Sequence, residues 1–530
     1  MRRMIALGLI LLASASAAGI VMTRPLPAPE SATAPAPGPA EGAPADLAGE
    51  SPAVEAPGPD RDPPRKGKSP GIVRGALSTS EIPQDLDRME QRRREKLEWN
   101  RRTVLGAYDE VGRKDPRWDE SAREAMDLAS RMFGLQVDPV VTLADLRRPA
   151  RAALDAGCDD PMLAYLHTRT LVALDVVGPA ELARLMIEAA EGLRASDYPA
   201  CRRAVALELA GTQVVAASSL GGPPREQAGR YFDDALALMP ESVRTDARTE
   251  HWRDLWFDTL RSLVTGYRAL GLEPVEAYER VDAGLAGLPE AEALRLVVRG
   301  WFWFDYGWEA RTNAFAPAVP AGGFERLEDR LALSREAFEA AWELEPDNAR
   351  VASYLMDIDK SIVGDRAVME RWFDRAMRAD GDWYAACLTK LDWLDPKWHG
   401  SVEEMLAFGR SCFETGNWRA GITLLSPDAH FRYACMVDRA EGTRYLSSPE
   451  VWPEIREAYD EYLEHYPDNN VARSKYAALA TIAGNYPEAH AQFERLGDRL
   501  TMWSDSPYIP LGMLELMREE AARMAVGGQP

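Results

Sequence analysis

Leu425, Tyr459 and Phe493 recur at intervals of 34 residues, and the pairs Gly416/Asn417 and Gly484/Asn485 stand nine residues before the first and last of them. Glycine adopts the left-handed conformation that ends a helix and the polar residue after it caps the next, so each pair marks the turn of a helical hairpin. Gly364 and Asp365 repeat the arrangement nine residues before Phe373. From about residue 80 onward, apolar residues fall three and four apart, separated by short Pro, Gly, Asp and Asn clusters, and alternating β-branched runs are few. The chain is therefore expected to be all-α, with helix pairs stacked on a fixed period.

A second pattern marks one helix of each pair: a small residue, an aromatic, another small residue, then proline. Ala228, Phe232, Ala235 and Pro240 carry it fully, Phe338, Ala341 and Pro346 carry its second half, and Tyr459, Tyr462 and Pro467 form a bulkier version. The small residues admit a neighbouring helix, the aromatic fills the groove beside it, and the proline stops the helix. Between Ala235 and Ala341 no register can be set.

Phe373 and Leu425 are 52 residues apart where 34 are expected. The excess predicts an additional short helix, about residues 383–393, and a turn over 395–400. Ser401 and Glu404 would then form a capping box for the following helix. Asp395, Pro396, Lys397, Trp398, Ser401 and Glu404 have counterparts at identical spacing in Asp115, Pro116, Arg117, Trp118, Ser121 and Glu124. A reactive centre is not expected twice with His399 replaced by Asp119, whereas a helix entrance is. Trp118 and Trp398 are expected to pack on the helices they introduce.

With these residues in view, the chain resembles a degenerate tetratricopeptide-repeat (TPR-like) protein. Gly409, Gly416, Trp418 and Gly421 occupy matching positions before Leu425, as do Gly484, Tyr486 and Ala489 before Phe493. The resemblance implies an α-solenoid of antiparallel helix pairs. Trp308-Glu309-Ala310-Arg311, Arg371-Trp372-Phe373 and the run from Pro396 to Leu406 also resemble an uncharacterised bacterial group defined as a domain of unknown function. That resemblance covers roughly residues 90–500 and implies no activity.

The N-terminus places Arg2 and Arg3 before an uncharged apolar run from Ile5 to Met22, followed by Arg24. Such a segment directs export. Ala13, Ala15, Ala17 and Ala18 suit cleavage, while the length of the run also suits a retained membrane anchor. Either way, the rest of the chain is expected in the periplasm or on the outer face of a membrane. No cysteine follows the run to take a lipid. Residues 25–79 are rich in Pro and Ala and poor in large apolar residues, so a disordered linker is expected. The expected order is therefore 1–24 signal peptide or anchor, 25–79 linker, 80–320 N-terminal helical region, 321–505 C-terminal TPR-like repeats and 506–530 C-terminal helix and tail.

A formal net charge of −22 disfavours nucleic acid as a partner. The basic run Arg92 to Arg102 is interrupted by acidic residues and is expected to be a solvated helix face. Five cysteines and no Cys-x-x-Cys pair suggest small hydrophobes in helix interfaces. Should bridges form in an oxidising compartment, Cys158 with Cys201 and a pair among Cys387, Cys412 and Cys435 are the choices.

The residues suggest no particular reaction. Phosphate loops, His-Glu-x-x-His and nucleophile-elbow motifs are missing, and six histidines are scattered singly, so no metal or cofactor is expected. The densest aromatic stretch is residues 301–311. On a helix, Trp301, Phe304 and Trp308 share one face, while Trp303, Tyr306 and Glu309 lie towards another. Either the helix is buried on both sides, or Trp303, Tyr306, Trp308, Glu309 and Arg311 line a binding surface. The leading expectation is a non-enzymatic scaffold that binds a protein or peptide in the cell envelope. The alternative is an envelope carbohydrate-binding protein or hydrolase using an acidic, Trp-lined groove.

Overall fold

The computed structural model describes residues 82–134, 141–174, 177–246, 248–312, 318–362, 364–497, 499–501 and 511–525. The expected signal segment and the whole of the expected linker lie outside them. Among the described residues regular structure is helical throughout. α1 (Leu86–Arg101) runs through a π turn, Arg102–Gly106, into α2 (Ala107–Val111). There follow α3 (Asp119–Gly134), α4 (Leu143–Asp155), α5 (Pro161–Leu174), α6 (Pro179–Arg194), α7 (Ala200–Ala217) and α8 (Gln227–Ala237). The middle comprises α9 (Met239–Thr245), α10 (Glu250–Ala269), α11 (Pro274–Leu285), α12 (Glu292–Arg311), α13 (Gly323–Leu344), α14 (Ala349–Ile362) and α15 (Arg366–Ala379). Then come α16 (Tyr384–Leu394), α17 (Val402–Glu414), α18 (Leu425–Met436) and α19 (Arg439–Leu446). The last are α20 (Trp452–His465), α21 (Asn470–Ile482), α22 (Tyr486–Leu496) and α23 (Leu511–Ala525). Neighbours in sequence pack as pairs, most extensively α12 with α13.

The turns follow from the residues that form them. Gly364, Gly416 and Gly484 have φ of 70°, 61° and 74°, the left-handed conformation that a side chain disfavours. Asp365 then accepts from the amides of Ala367 and Val368 at 2.8 and 3.2 Å, and Asn417 accepts from that of Ala420 at 3.2 Å. Asn485 instead donates its own amide to the Ala480 carbonyl, satisfying the end of α21.

Packing is set by aromatic rings seated on glycines. The fully buried Phe232 ring of α8 lies between α7 and α10, where a Cβ on Gly211 would collide with it and one on Gly266 would stand 2.5 Å away. Ala228 and Ala235, one turn to either side, are also fully buried. In the α12–α13 hairpin, Phe338 covers Gly300 in the same way, and Ser334 Oγ donates to the Gly300 carbonyl at 2.7 Å. Gly300 and Phe338 thus meet across helices of 20 and 22 residues. Residue 320, the expected boundary, falls in this hairpin's turn, and one apolar core continues past it to Ile358.

The additional helix is α16, and the turn after it holds the expected corner. Lys397 and Arg117 each donate their amide to the side chain of the aspartate two residues earlier, at 3.0 and 2.9 Å, so the two cassettes share one turn. Ser401 Oγ accepts from the Glu404 amide at 3.2 Å. Two details differ from expectation. α3 starts at Asp119 rather than Ser121, because the Asp115 carbonyl already accepts from the Asp119 amide at 2.9 Å. Trp398, expected to pack on the helix it introduces, packs edge-on against the distant Trp308, 6.2 Å between ring centres.

The basic face of α1 is solvated only in part: Arg94, Arg101 and Arg102 are exposed, whereas acidic residues far along the chain meet Arg92 and Arg93. Arg93 grips Asp382 with two bonds of 2.7 and 2.8 Å, and Arg92 pairs with Glu250 and, at 3.4 Å, with Asp380. α1 thereby ties α10 to the turn before α16. Gly300→Val is expected to destabilise the protein by about 1–3 kcal/mol by forcing Phe338 off its seat. Urea denaturation measures this; an unchanged midpoint would remove the glycine–aromatic contact as the basis of the pairing.

Candidate functional site

On α10, Glu250, Asp254, Asp258 and Arg261 are spaced to share one helical face, and on α14 Arg350, Tyr354 and Asp357 do the same. The two stripes meet. Arg350 donates to Asp254 at 2.9 Å while its guanidinium lies 4.2 Å above Phe257 and 5.1 Å from the Trp383 ring. Tyr354 is buried, stacked on Phe338 at 4.7 Å and edge-on to Phe304 at 5.3 Å, and its hydroxyl has no hydrogen-bond partner. The charged groups that act on that hydroxyl are Arg261, Arg350, Asp305 and Asp357. Arg261 lies 6.0 Å over Phe257 and forms no ion pair among the described residues.

Polar contacts continue from helix to helix. Upstream, Glu208 of α7 accepts from Thr212 at 2.8 Å and from Ser262 of α10. Arg268 of α10 holds Glu309 of α12 with bonds of 2.6 and 2.9 Å. Downstream, Lys360 sits 2.8 Å from Asp357 and 3.8 Å from Asp392 of α16, and Asp392 lies 2.6 Å from Arg432 of α18. Asp428 of α18 then pairs with Lys475 of α21 at 3.2 Å. The result is a ladder of polar contacts linking α7, α10, α12, α14, α16, α18 and α21, made of charge pairs from α10 onward.

The expected site residues border this ladder. Trp303, Tyr306, Trp308 and Arg311 are partly exposed and Glu309 is exposed, whereas Trp301, Phe302 and Phe304 are buried. Trp308 is flanked by Trp398 and by the Arg311 guanidinium at 5.4 Å, which also faces Phe324 at 5.5 Å. Lys360 Nζ lies 5.0 Å over Trp398. Trp303 and Tyr306 belong to the other face. Arg330 covers Tyr306 at 3.3 Å, and Phe302 separates both from the ladder side by stacking on Tyr278 at 4.5 Å. The five expected residues therefore divide: Trp308, Glu309 and Arg311 stand near the ladder, while Trp303 and Tyr306 do not.

His399 has a structural partner. Its Nε2 meets the Lys360 carbonyl at 2.7 Å, and its ring fills the space that a Cβ on Gly364 would need. It thus satisfies an otherwise free carbonyl at the end of α14. Among the described residues no group of three His, Cys, Asp or Glu side chains is placed to hold a metal ion, and no helix is long and apolar enough to cross a membrane.

The carboxylates on the ladder feel unequal environments. Burial pushes Asp305 up to about 6, helped by Glu309 and opposed by Arg268 and Arg261. Burial likewise raises Glu250 to about 7 against the pull of Arg92. For Asp254 burial acts in the same sense, but Arg350 and Lys96 outweigh it and hold the carboxyl below its ordinary range. Burial and the nearby Lys96 push His251 down to about 3, so it is neutral at physiological pH.

The residues overlooked in the sequence, Arg261, Asp305, Arg350 and Tyr354, carried a faint signal. They fall three, four or seven positions from other polar or aromatic residues on helices whose opposite faces are apolar. No family model matches the chain, and no curated protein matches it significantly.

Asp305 binds its proton more tightly folded than unfolded. It therefore contributes stability that is complete below its ordinary 3.8 and is lost as the pH rises through about 6. Asp305→Asn is expected to exceed the parent in stability by about 1–3 kcal/mol at neutral pH and to match it in acid. Urea midpoints across this range test the prediction; a pH-independent difference between the two proteins would refute it.

Proposed function

We propose that the chain is a TPR-like helical-repeat solenoid that binds a protein or peptide partner along the ladder, between α10, α12, α14 and the turn after α16. The observation that carries this reading is Arg261, whose charge faces the carboxyls of Asp258 and Asp305 with no ion pair among the described residues, in a row whose other cations are paired. A peptide carboxylate would accept from Arg261, and Trp308 and Trp398 would pack against an adjacent side chain. The 34-residue spacing, the glycine turns and the seating of aromatics on glycines support the TPR-like architecture, and the bacterial group with the same Trp-Glu-Ala-Arg motif is its proposed relative. Arg2, Arg3 and the apolar run after them support export to the cell envelope, with the signal either cleaved or kept as an anchor and residues 25–79 acting as a linker.

A second reading rests on Asp305. A carboxyl that titrates near 6 next to Glu309 has the character of a general acid, as a carbohydrate-active hydrolase needs. The bidentate hold of Arg268 on Glu309 favours the binding reading, because it fixes the second carboxylate as a structural partner.

Crosslinking in intact cells, followed by identification of captured proteins, tests the first reading. Arg261→Ala and Trp308→Ala should each weaken the captured complex roughly tenfold, the worth of one charged hydrogen bond or one packed ring. Retention of glycans without any captured protein, or equal capture by parent and variants, would sink it. Loss of glycan hydrolysis in Asp305→Asn would support the second reading instead.

A further inference from the structure

Cys387 on α16 and Cys412 on α17 are both fully buried in the core between these helices. The two thiols act on one another electrostatically within this core, and Cys387 Sγ lies 3.6 Å from Met377 Sδ. The remaining cysteines are placed differently. Cys158 follows α4, Cys201 opens α7, and Cys435 is half-buried at the end of α18 in another part of the core. All five are thiols in the structure. Beside the pair stands the buried Lys390, its ammonium 2.7 Å from Glu370 and enclosed by the Phe373 and Phe408 rings at 4.1 and 5.0 Å. A cation here favours a thiolate, while burial opposes one, so the sulfurs react while the core is still open to solvent.

We propose that Cys387 and Cys412 are a disulfide-forming pair that staples the additional helix α16 to α17. The oxidant is a dithiol oxidase or small-molecule disulfide of the compartment in which the chain folds, and the proposal rests on the export reading for that source alone. The Cys412 thiolate attacks the oxidant's sulfur–sulfur bond, giving a mixed disulfide and releasing one oxidant thiol. The Cys387 thiolate then attacks the Cys412 sulfur and expels the second. Two protein thiols become one disulfide, two protons leave, and the oxidant's disulfide is reduced to two thiols. The loop so closed contains the turn that carries Trp398 and His399, so the bridge stiffens the rim of the ladder where Trp308 and Trp398 meet.

The full chain is to be refolded in a buffer of reduced and oxidised glutathione, unfolded, alkylated and mapped by mass spectrometry. A peptide linking Cys387 to Cys412, lighter by two hydrogens and separated by dithiothreitol, is expected, with Cys158, Cys201 and Cys435 alkylated. The oxidised protein should melt several degrees above the reduced one. Cys387→Ser and Cys412→Ser should each abolish the linked peptide, and Cys435→Ser should retain it. Alkylation of all five cysteines after oxidation, or a bridge through Cys435, would overturn the proposal. Mapping the chain recovered from the cell envelope tests the export reading separately. A bridge in the refolded chain with free thiols in the cellular one supports the pair and counts against export.

Discussion

The architecture depends on an aromatic ring seated where a Cβ is missing. Phe232 lies against Gly211 and Gly266 on two different helices, so one side chain joins α8 to its partner α7 and to the later α10. Such a contact combines the burial of a full ring, about 1.5–3 kcal/mol, with a backbone approach that only glycine allows. Phe338 on Gly300 repeats it between helices of 20 and 22 residues, where α7 and α8 have 18 and 11, so the seat recurs in hairpins of unequal length. Each pair can then vary in length without altering how it meets its neighbour.

This tolerance explains which parts of the fold were legible in the sequence. Gly364, Gly416 and Gly484 announce their turns because the left-handed conformation is a property of one residue. The additional helix α16 was legible as an excess over a fixed period. The α12–α13 hairpin was not, because its Gly300 and Phe338 meet across long helices and the intervening residues carry no mark of how far apart the partners are. Likewise the two cassettes at 115–124 and 395–404 make the same turn, but where the first helix begins depends on a backbone bond from Asp119 that no residue type specifies.

The candidate site was legible only in part, and for the same physical reason. The aromatic density of residues 301–311 is visible, and so is its division into two faces. What the sequence cannot convey is which face meets α10 and α14. Arg350, Tyr354, Asp254 and Arg261 acquire meaning as a group only after two helices some hundred residues apart are laid side by side. The same holds for α1, where Arg92 and Arg93 resemble a solvated basic face until Glu250, Asp380 and Asp382 are brought to them. Short-range patterns report helices and turns; charge pairing across the ladder is long-range information.

The Trp398–His399 corner joins these arguments. Neither side chain is reactive in its setting: His399 meets the carbonyl that ends α14, and Trp398 meets Trp308 and the Lys360 ammonium. Both contacts reach backwards in the chain, to helices laid down before α16. α16 itself packs on α14, α15 and α17. By returning to α12 and α14, the corner places an aromatic pair beside the ladder. The turn after α16 and the expected site residues of α12 therefore meet at one aromatic contact, Trp308 with Trp398.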